Sequence, residues 1–261
     1  MDYAVAAGHQ GLIDLLKKHG ASGKTDLSDQ LFGAIVARDL EKTRMLLEEG
    51  ADPNSIDRRY ERPLHKTVGL PDTALAELLI AHGAKVNCDY DQCRPLLGEV
   101  ISSEDIPLLR LLIKHGIRIE EDPYRRFDDR PLNEAARAGD TEAMAVLLEG
   151  GAQINGKNKR GGTALMAATS YLNDEPVRFL LSQGADISQK DEEGRSALDF
   201  AAGSSRAKIE ALVQAGADIN TRDDRGRTPL KKAGDRGNIE AVYALVFMGA
   251  DPTITDRQGM T

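Results

Sequence analysis

A short phrase recurs along the chain: a leucine-rich stretch, two or three polar residues, then Gly-Ala or close to it. It ends at Gly20-Ala21, Gly50-Ala51, Gly83-Ala84, Gly116-Ile117, Gly151-Ala152, Gly184-Ala185, Gly216-Ala217 and Gly249-Ala250, with successive spacings of 30, 33, 33, 35, 33, 32 and 33 residues. Near-constant spacing of this size marks a repeat architecture, in which a small unit cannot bury its own apolar face and must stack on its neighbours. The copies leave no stretch of the 261 residues for a separate domain.

The copy from Asp223 to Thr253 shows what each unit should fold into. Thr228-Pro229-Leu230 places a hydroxyl at an N-cap and proline at the first helical position, where its missing N–H costs nothing. Gly237-Asn238 breaks that helix and caps the next, whose Ile239, Val242, Leu245 and Val246 recur at the three- and four-residue intervals of one buried stripe. Gly249 supplies a left-handed residue that ends the second helix, and Ala250-Asp251-Pro252 leads out. The link Ile219 to Gly226 carries Asp and Gly at turn positions and reads as a hairpin-like projection.

These residues resemble the ankyrin repeats: a turn with Asp and Gly, then Thr-Pro-Leu-His, two small residues, Gly, and Leu-Leu-x-x-Gly-Ala. Pro63-Leu64-His65, Pro95-Leu96, Pro131-Leu132, Thr163-Ala164-Leu165, Ser196-Ala197-Leu198 and Thr228-Pro229-Leu230 carry the helix-start signature. The resemblance implies an all-α solenoid of stacked helix-turn-helix units with projecting β-hairpin-like turns. It divides the chain into a partial first copy at 1–21, then 22–54, 55–87, 88–119, 120–155, 156–187, 188–220 and 221–253, with 254–261 beginning another. The whole is expected to be a single repeat domain. Only His65 keeps the family histidine, and Arg62, Arg94 and Arg130 stand where a capping Thr is expected. Arginine cannot accept an N-cap hydrogen bond, so each of those starts should lose about 0.5–2 kcal/mol, leaving the middle repeats less stable than the last three. Neither end supplies a polar capping repeat, so the chain is expected to be a segment of something longer or to have incompletely recorded ends. Lys24 to Gln30 forms a capped lead-in, and the row of turns is expected to start at Asp57.

Composition narrows the functions. With 34 basic against 42 acidic residues the net charge is −8, which disfavours nucleic acid and anionic lipid as partners. Two cysteines, Cys88 and Cys93, exclude a disulfide scaffold and favour a reducing, intracellular and cytoplasmic setting. No apolar run reaches the length of a membrane span. Gly20 to Thr25 resembles the end of a phosphate-binding loop, but Lys18 stands where its first glycine belongs and a helix precedes it. The two cysteines with His65, His82 and His115 lack zinc spacing, and Asp89-Tyr90-Asp91 lacks the glycine and closing Glu of a calcium loop. His82 and His115 instead suit the negative end of a helix. No catalytic motif is present, and paired acids at turn tips stay open to water. The expectation is therefore no enzyme activity, no cofactor, no metal, and a monomeric domain.

Stacking such units leaves one face, made of the turns and first helices, free of structural duty, and in the family that face binds proteins. The resemblance places the partner-binding residues at Arg58, Arg59 and Glu61; Tyr90 and Asp91; Arg125, Arg126, Phe127 and Asp129; Lys159, Arg160 and Tyr171; Glu192, Glu193 and Arg195; and Asp224, Arg225 and Arg227. The third to fifth turns carry Tyr60, Tyr90, Tyr124 and Phe127, aromatics with no repeat core to fill, and the 35-residue copy has extra length at its tip. Packing of these rings across adjacent turns is the alternative. Phe179, Phe200, Tyr243 and Phe247 fall on helices and are expected in the core. The function implied is a scaffold holding a protein partner. The alternatives are a dedicated inhibitor of an enzyme or toxin, or the regulatory repeat domain of an enzyme whose catalytic part lies outside this chain.

Overall fold

The computed structural model describes residues 11, 26–87, 96–120 and 130–261. The described elements are all helical, and they fall into two compact units that divide after Arg118. In the first unit, α1 (Leu27–Val36) pairs with α2 (Leu40–Glu48), a 3-10 helix (Pro63–Thr67) with α3 (Ala74–Ala81), and α4 (Leu96–Ser102) with α5 (Ile106–Lys114). In the second, the pairs are α6 (Pro131–Ala138) with α7 (Thr141–Glu149), α8 (Ala164–Ala168) with α9 (Glu175–Ser182), α10 (Ala197–Ala201) with α11 (Arg206–Gln214), and α12 (Pro229–Asp235) with α13 (Ile239–Phe247). The 3-10 segment stays short because Gly69 takes φ +72° and Pro71 disfavours helical backbone at Leu70.

The recurring Leu-x-x-x-Gly-Ala phrase is a helix terminus. Leu79, Leu112, Leu147, Leu180, Leu212 and Leu245 hold the same place in successive second helices and are fully buried. The carbonyl of each accepts a bond from the amide five residues on, as in Ala84 to Leu79 (2.9 Å), Ile117 to Leu112 (3.0 Å) and Ala250 to Leu245 (2.9 Å). That closure requires the intervening residue to be left-handed, and the anchor glycines from Gly50 to Gly249 have φ from +78° to +98°. One residue thus sets the core register and its neighbours redirect the chain.

Four of the described second helices begin with side-chain caps: Asp39 accepts from the Lys42 amide (2.9 Å), Asp105 from Leu108 (3.1 Å), Asp140 from Ala143 (2.8 Å) and Asn238 from Ala241 (3.2 Å). First helices divide into two kinds. Thr163 and Thr228 cap their helices, while Ser196 and Asp199 form a capping box in which Asp199 accepts from the Ser196 amide (2.7 Å). Arg62 and Arg130 make no side-chain cap, as expected. Instead Arg62 Nη1 donates to the Asn87 carbonyl (3.0 Å) and Arg130 Nε to the Lys157 carbonyl (2.9 Å), each a contact with the chain that leads from its own second helix toward the following turn. Arg94 lies outside the described residues.

The helix stripe expected on α13 needs correction. Its buried residues are Ala241, Ala244 and Leu245, whereas Ile239 is 67% exposed and Val246 49%. Tyr243 and Phe247 are 72% and 86% exposed, not core, and Phe179 and Phe200 are half-buried. The physical reason is that α13 is apolar on more than one face, so periodicity does not select the packed one. The small alanines allow close approach, and Tyr243 and Phe247 take the outward positions that Glu210 and Gln214 hold in α11.

Candidate partner-binding surface

The turns are built to a common plan. An Asp or Asn at the first position donates its amide to the carbonyl four residues on, and its side-chain oxygen accepts the amides two and four residues on. Asp57 Oδ1 accepts from Arg59 (2.8 Å) and Glu61 (3.0 Å), Asn158 Oδ1 from Arg160 (3.0 Å) and Gly162 (2.8 Å), and Asp191 Oδ1 from Glu193 (3.0 Å) and Arg195 (2.8 Å). Asp223 repeats the arrangement with Arg225 and Arg227, and Asp256 with Gln258 and Met260. The fourth residue is left-handed: Gly161, Gly194, Gly226 and Gly259, but Tyr60 (φ +62°) in the turn that begins at Asp57.

In the second unit the turns are also tied to one another. The Glu192 amide donates to the Arg160 carbonyl, Asp224 to Glu193, and Arg257 to Arg225, each at 3.0 Å. Cations just before each turn reinforce the row: Lys157 donates to the Lys190 carbonyl (2.8 Å), Lys190 to Arg222 (2.9 Å), and Arg222 to Thr255 (2.8 Å). Lys157 therefore serves the backbone.

Arg58 and Arg59 lie exposed at their turn, as do Lys159, Arg160, Glu192, Glu193, Asp224 and Arg225 at theirs. Glu61 is buried and pairs with Lys66, which also meets Asp57 at 2.9 Å. Burial pulls the Lys66 ammonium down, but its bonds to Glu61 and Asp57 outweigh this and hold its pKa above the ordinary value. Tyr171 is half-buried with its ring lying over Gly139, where an added Cβ would come within 2.4 Å of it. Arg195 and Arg227 turn back onto Asp191 (2.8 Å) and Asp223 (2.9 Å). Tyr90, Asp91, Arg125, Arg126, Phe127 and Asp129, with Tyr124, Cys88 and Cys93, lie outside the described residues.

Beneath the tips of the second unit runs a groove between the turns and the first helices. One cleft of about 330 Å³ is bounded by Arg137, Arg160, Met166, Arg195 and Phe200, and a smaller one of about 150 Å³ by Arg195, Phe200, Arg227 and Arg236. The Arg195 guanidinium sits 4.8 Å from the centre of the Phe200 ring, which separates the two. Helical periodicity places Phe200 in the core and does not mark Arg137 or Arg236. The available signal was periodic: the residues aligned with Phe200 are Lys66, Glu134, Ala167 and Lys232, so that position needs no aromatic.

Behind the groove lies a buried ion cluster. Lys232 Nζ meets Asp199 Oδ1 (2.8 Å) and Asp223 Oδ2 (2.9 Å), both carboxylates being almost fully buried. Burial raises the Asp223 pKa, but the Lys232 and Arg227 bonds and the Lys232 charge prevail and lower it to about 2. Nearby, Lys208 is 1% exposed and donates to the Thr169 carbonyl (2.8 Å), the Tyr171 carbonyl and Ser204 Oγ (2.6 Å), closing the end of α8. Desolvation lowers its pKa, partly opposed by Asp174. These charges are consumed in structure. Among the described residues no group of three or more His, Cys, Asp or Glu could hold a metal ion, and no helix is long and apolar enough to cross a membrane.

A family model described as ankyrin repeats (3 copies) matches residues 97–191 and 178–256. The chain belongs to the ankyrin-repeat family. It is similar to the crystal structure of the human ASB11 ankyrin repeat domain, with a TM-score of 0.72 at 24% identity over 85% of this chain and 98% of that one. That likeness shows the fold of stacked helix-turn-helix units. Among curated relatives, a putative ankyrin repeat protein of fowlpox virus (strain NVSL), FPV230, is 28% identical over 179 residues, or 67% of this chain and 93% of that protein. A probable E3 ubiquitin-protein ligase of Oryza sativa subsp. japonica, XBOS32, is 42% identical over 93 residues, 34% of this chain and only 19% of the ligase. The ankyrin match thus spans a small part of that enzyme. Ankyrin repeats generally mediate protein–protein interaction, and the fold is typically non-catalytic.

Proposed function

We propose that the chain is a protein-interaction scaffold that holds a protein partner on the face formed by the turn tips and first helices. The observation that supports this most is the division of labour within the turns. Their backbone is pinned by the Asp or Asn side chain and by the bonds between turns, while Lys159, Arg160, Glu192, Glu193, Asp224 and Arg225 project outward. A surface whose backbone is ordered before binding loses little further conformational entropy on association, which is what a recognition surface requires. Its role is recognition rather than reaction, and the low cysteine content supports an intracellular setting.

A photo-cross-linking residue at 192 or 225, compared with one at the outer-helix positions 206 or 214, tests the reading in the native cell. Cross-links to a protein from 192 and 225, and not from 206 and 214, are the expected outcome. Cross-links from the outer helices alone would overturn it.

A further inference from the structure

The lining of the second unit's groove carries more cations than carboxylates, in a protein of net charge −8. Six cations line its two clefts, Arg137, Arg160, Arg195, Arg227, Lys232 and Arg236, against the three carboxylates Asp191, Asp199 and Asp235, while Asp223 pairs with Arg227 and Lys232, and Glu193 with Arg195, from outside the lining. Two of those carboxylates face inward. The side chain of Asp191 is 3% exposed and engaged by its own turn and Arg195, and that of Asp199 is buried against Ser196 and Lys232. The side chains that reach the groove's mouth are the exposed Arg137, Arg160 and Arg236 and the half-buried Arg195 and Arg227. Its apolar element is the half-buried Phe200, with Met166 and Ala167 in the cleft beside it.

Resting on the interaction reading above, we infer that this groove takes an acidic peptide segment of the partner, with an apolar side chain against Phe200 and Asp or Glu side chains among the flanking guanidiniums. Arginine suits this because its planar fork pairs a carboxylate through two hydrogen bonds and still stacks on an aromatic ring, as Arg195 does on Phe200. A cleft of polar and charged walls around one aromatic matches the anatomy of a peptide interface, in which a central apolar anchor is ringed by polar contacts. The excess of positive charge also draws an acidic segment toward the groove and repels a basic one.

A displayed library of random dodecapeptides selected on the intact chain tests the inference, with enriched peptides measured by fluorescence anisotropy against the wild type, Phe200→Ala, and the exposed-site variants Arg160→Glu and Arg236→Glu. Peptides with at least two Asp or Glu beside a Leu, Ile or Phe are expected. Their affinity should fall about tenfold or more in each variant, and should weaken between 50 and 300 mM salt. The two charge reversals keep the test sound if Phe200→Ala unfolds. Enriched peptides that lack acidic residues but still lose affinity in the groove variants would overturn the acidic-segment inference and leave the interaction face standing. Peptides indifferent to every groove variant would overturn the inference, and if also indifferent to Glu192→Lys and Arg225→Glu at the tips they would count against the face as well. Absence of any enrichment, or displacement of the peptides by a single-stranded oligothymidylate at equal concentration, would also overturn the inference.

Discussion

The two units of this protein solve the same backbone problems with different residues. Left-handed residues recur in the projecting turns and, in several repeats, between the two helices. In the second unit these positions are held by glycine, at Gly139, Gly161, Gly194, Gly226 and Gly237, whereas in the first unit Gly69 is joined by Arg38, Tyr60 and Glu104, with φ of +57°, +62° and +55°. A residue with a Cβ in that region gives up about 1–2 kcal/mol. The second unit also holds the hydroxyl caps at Thr163, Ser196 and Thr228 and the buried Asp199–Lys232–Asp223 cluster. One period can therefore conceal unequal local stability. Since stacked repeats gain stability from each unit and its nearest interfaces, the difference should surface as uneven hydrogen exchange rather than as one global midpoint.

The largest expected effect comes from removing what favours the second unit. Asp199→Ala leaves the Ser196 amide without its acceptor and Lys232 with one buried partner fewer, and should cost about 3 kcal/mol by chemical denaturation. Loss of protection confined to residues 188–253 would support the assignment, and an unchanged midpoint would refute it. The same cluster should show in acid. Because folding lowers the Asp223 pKa from 3.8 to about 2, its stabilisation is complete above 3.8 and is lost as pH falls toward 2. This amounts to about 2 kcal/mol, and its absence from an Asp223→Asn variant's acid titration is the check.

Next in size is repair of the first unit. Arg38→Gly, Tyr60→Gly and Glu104→Gly should each raise its stability by about 0.5–1 kcal/mol, the strain relieved exceeding the entropy that glycine adds to the unfolded chain. Slower exchange across residues 27–118 would be the sign, whereas faster exchange would mean that the side chains' contacts outweigh the strain. The smallest effect is the most discriminating. If capping alone mattered, Arg62→Thr would stabilise by about 0.5–2 kcal/mol, but the new cap replaces the bond to the Asn87 carbonyl, so a change within about 0.5 kcal/mol is expected. A clear gain in denaturant midpoint would show the arginine bond to be worthless.

Features set by neighbours within one turn of chain were open to sequence reasoning. Thr228-Pro229 begins a helix, Gly237-Asn238 separates two, and Gly249-Ala250 ends the second, each through bonds that span five residues or fewer. The exposed turn tips at Arg58, Arg160, Glu192 and Arg225 followed from the same local rules. Glu61 escaped them because its partner Lys66 is chosen by how the turn folds back on the helix start, and Tyr171 because the space above Gly139 belongs to a different repeat.

The sequence by itself determined the period, the helix pairs and the turns, since caps, left-handed residues and proline act on the backbone that carries them. Only the tertiary structure decided that Arg62 and Arg130 reach the chain beyond their own helix pairs, that Lys208 is buried among carbonyls, that α13 packs through its alanines, and that Phe200 lies between two clefts lined by arginines. Each of those outcomes depends on which atoms some 25 to 39 residues away are brought alongside, or on which of two apolar faces packs, and spacing along a single helix carries no information about either.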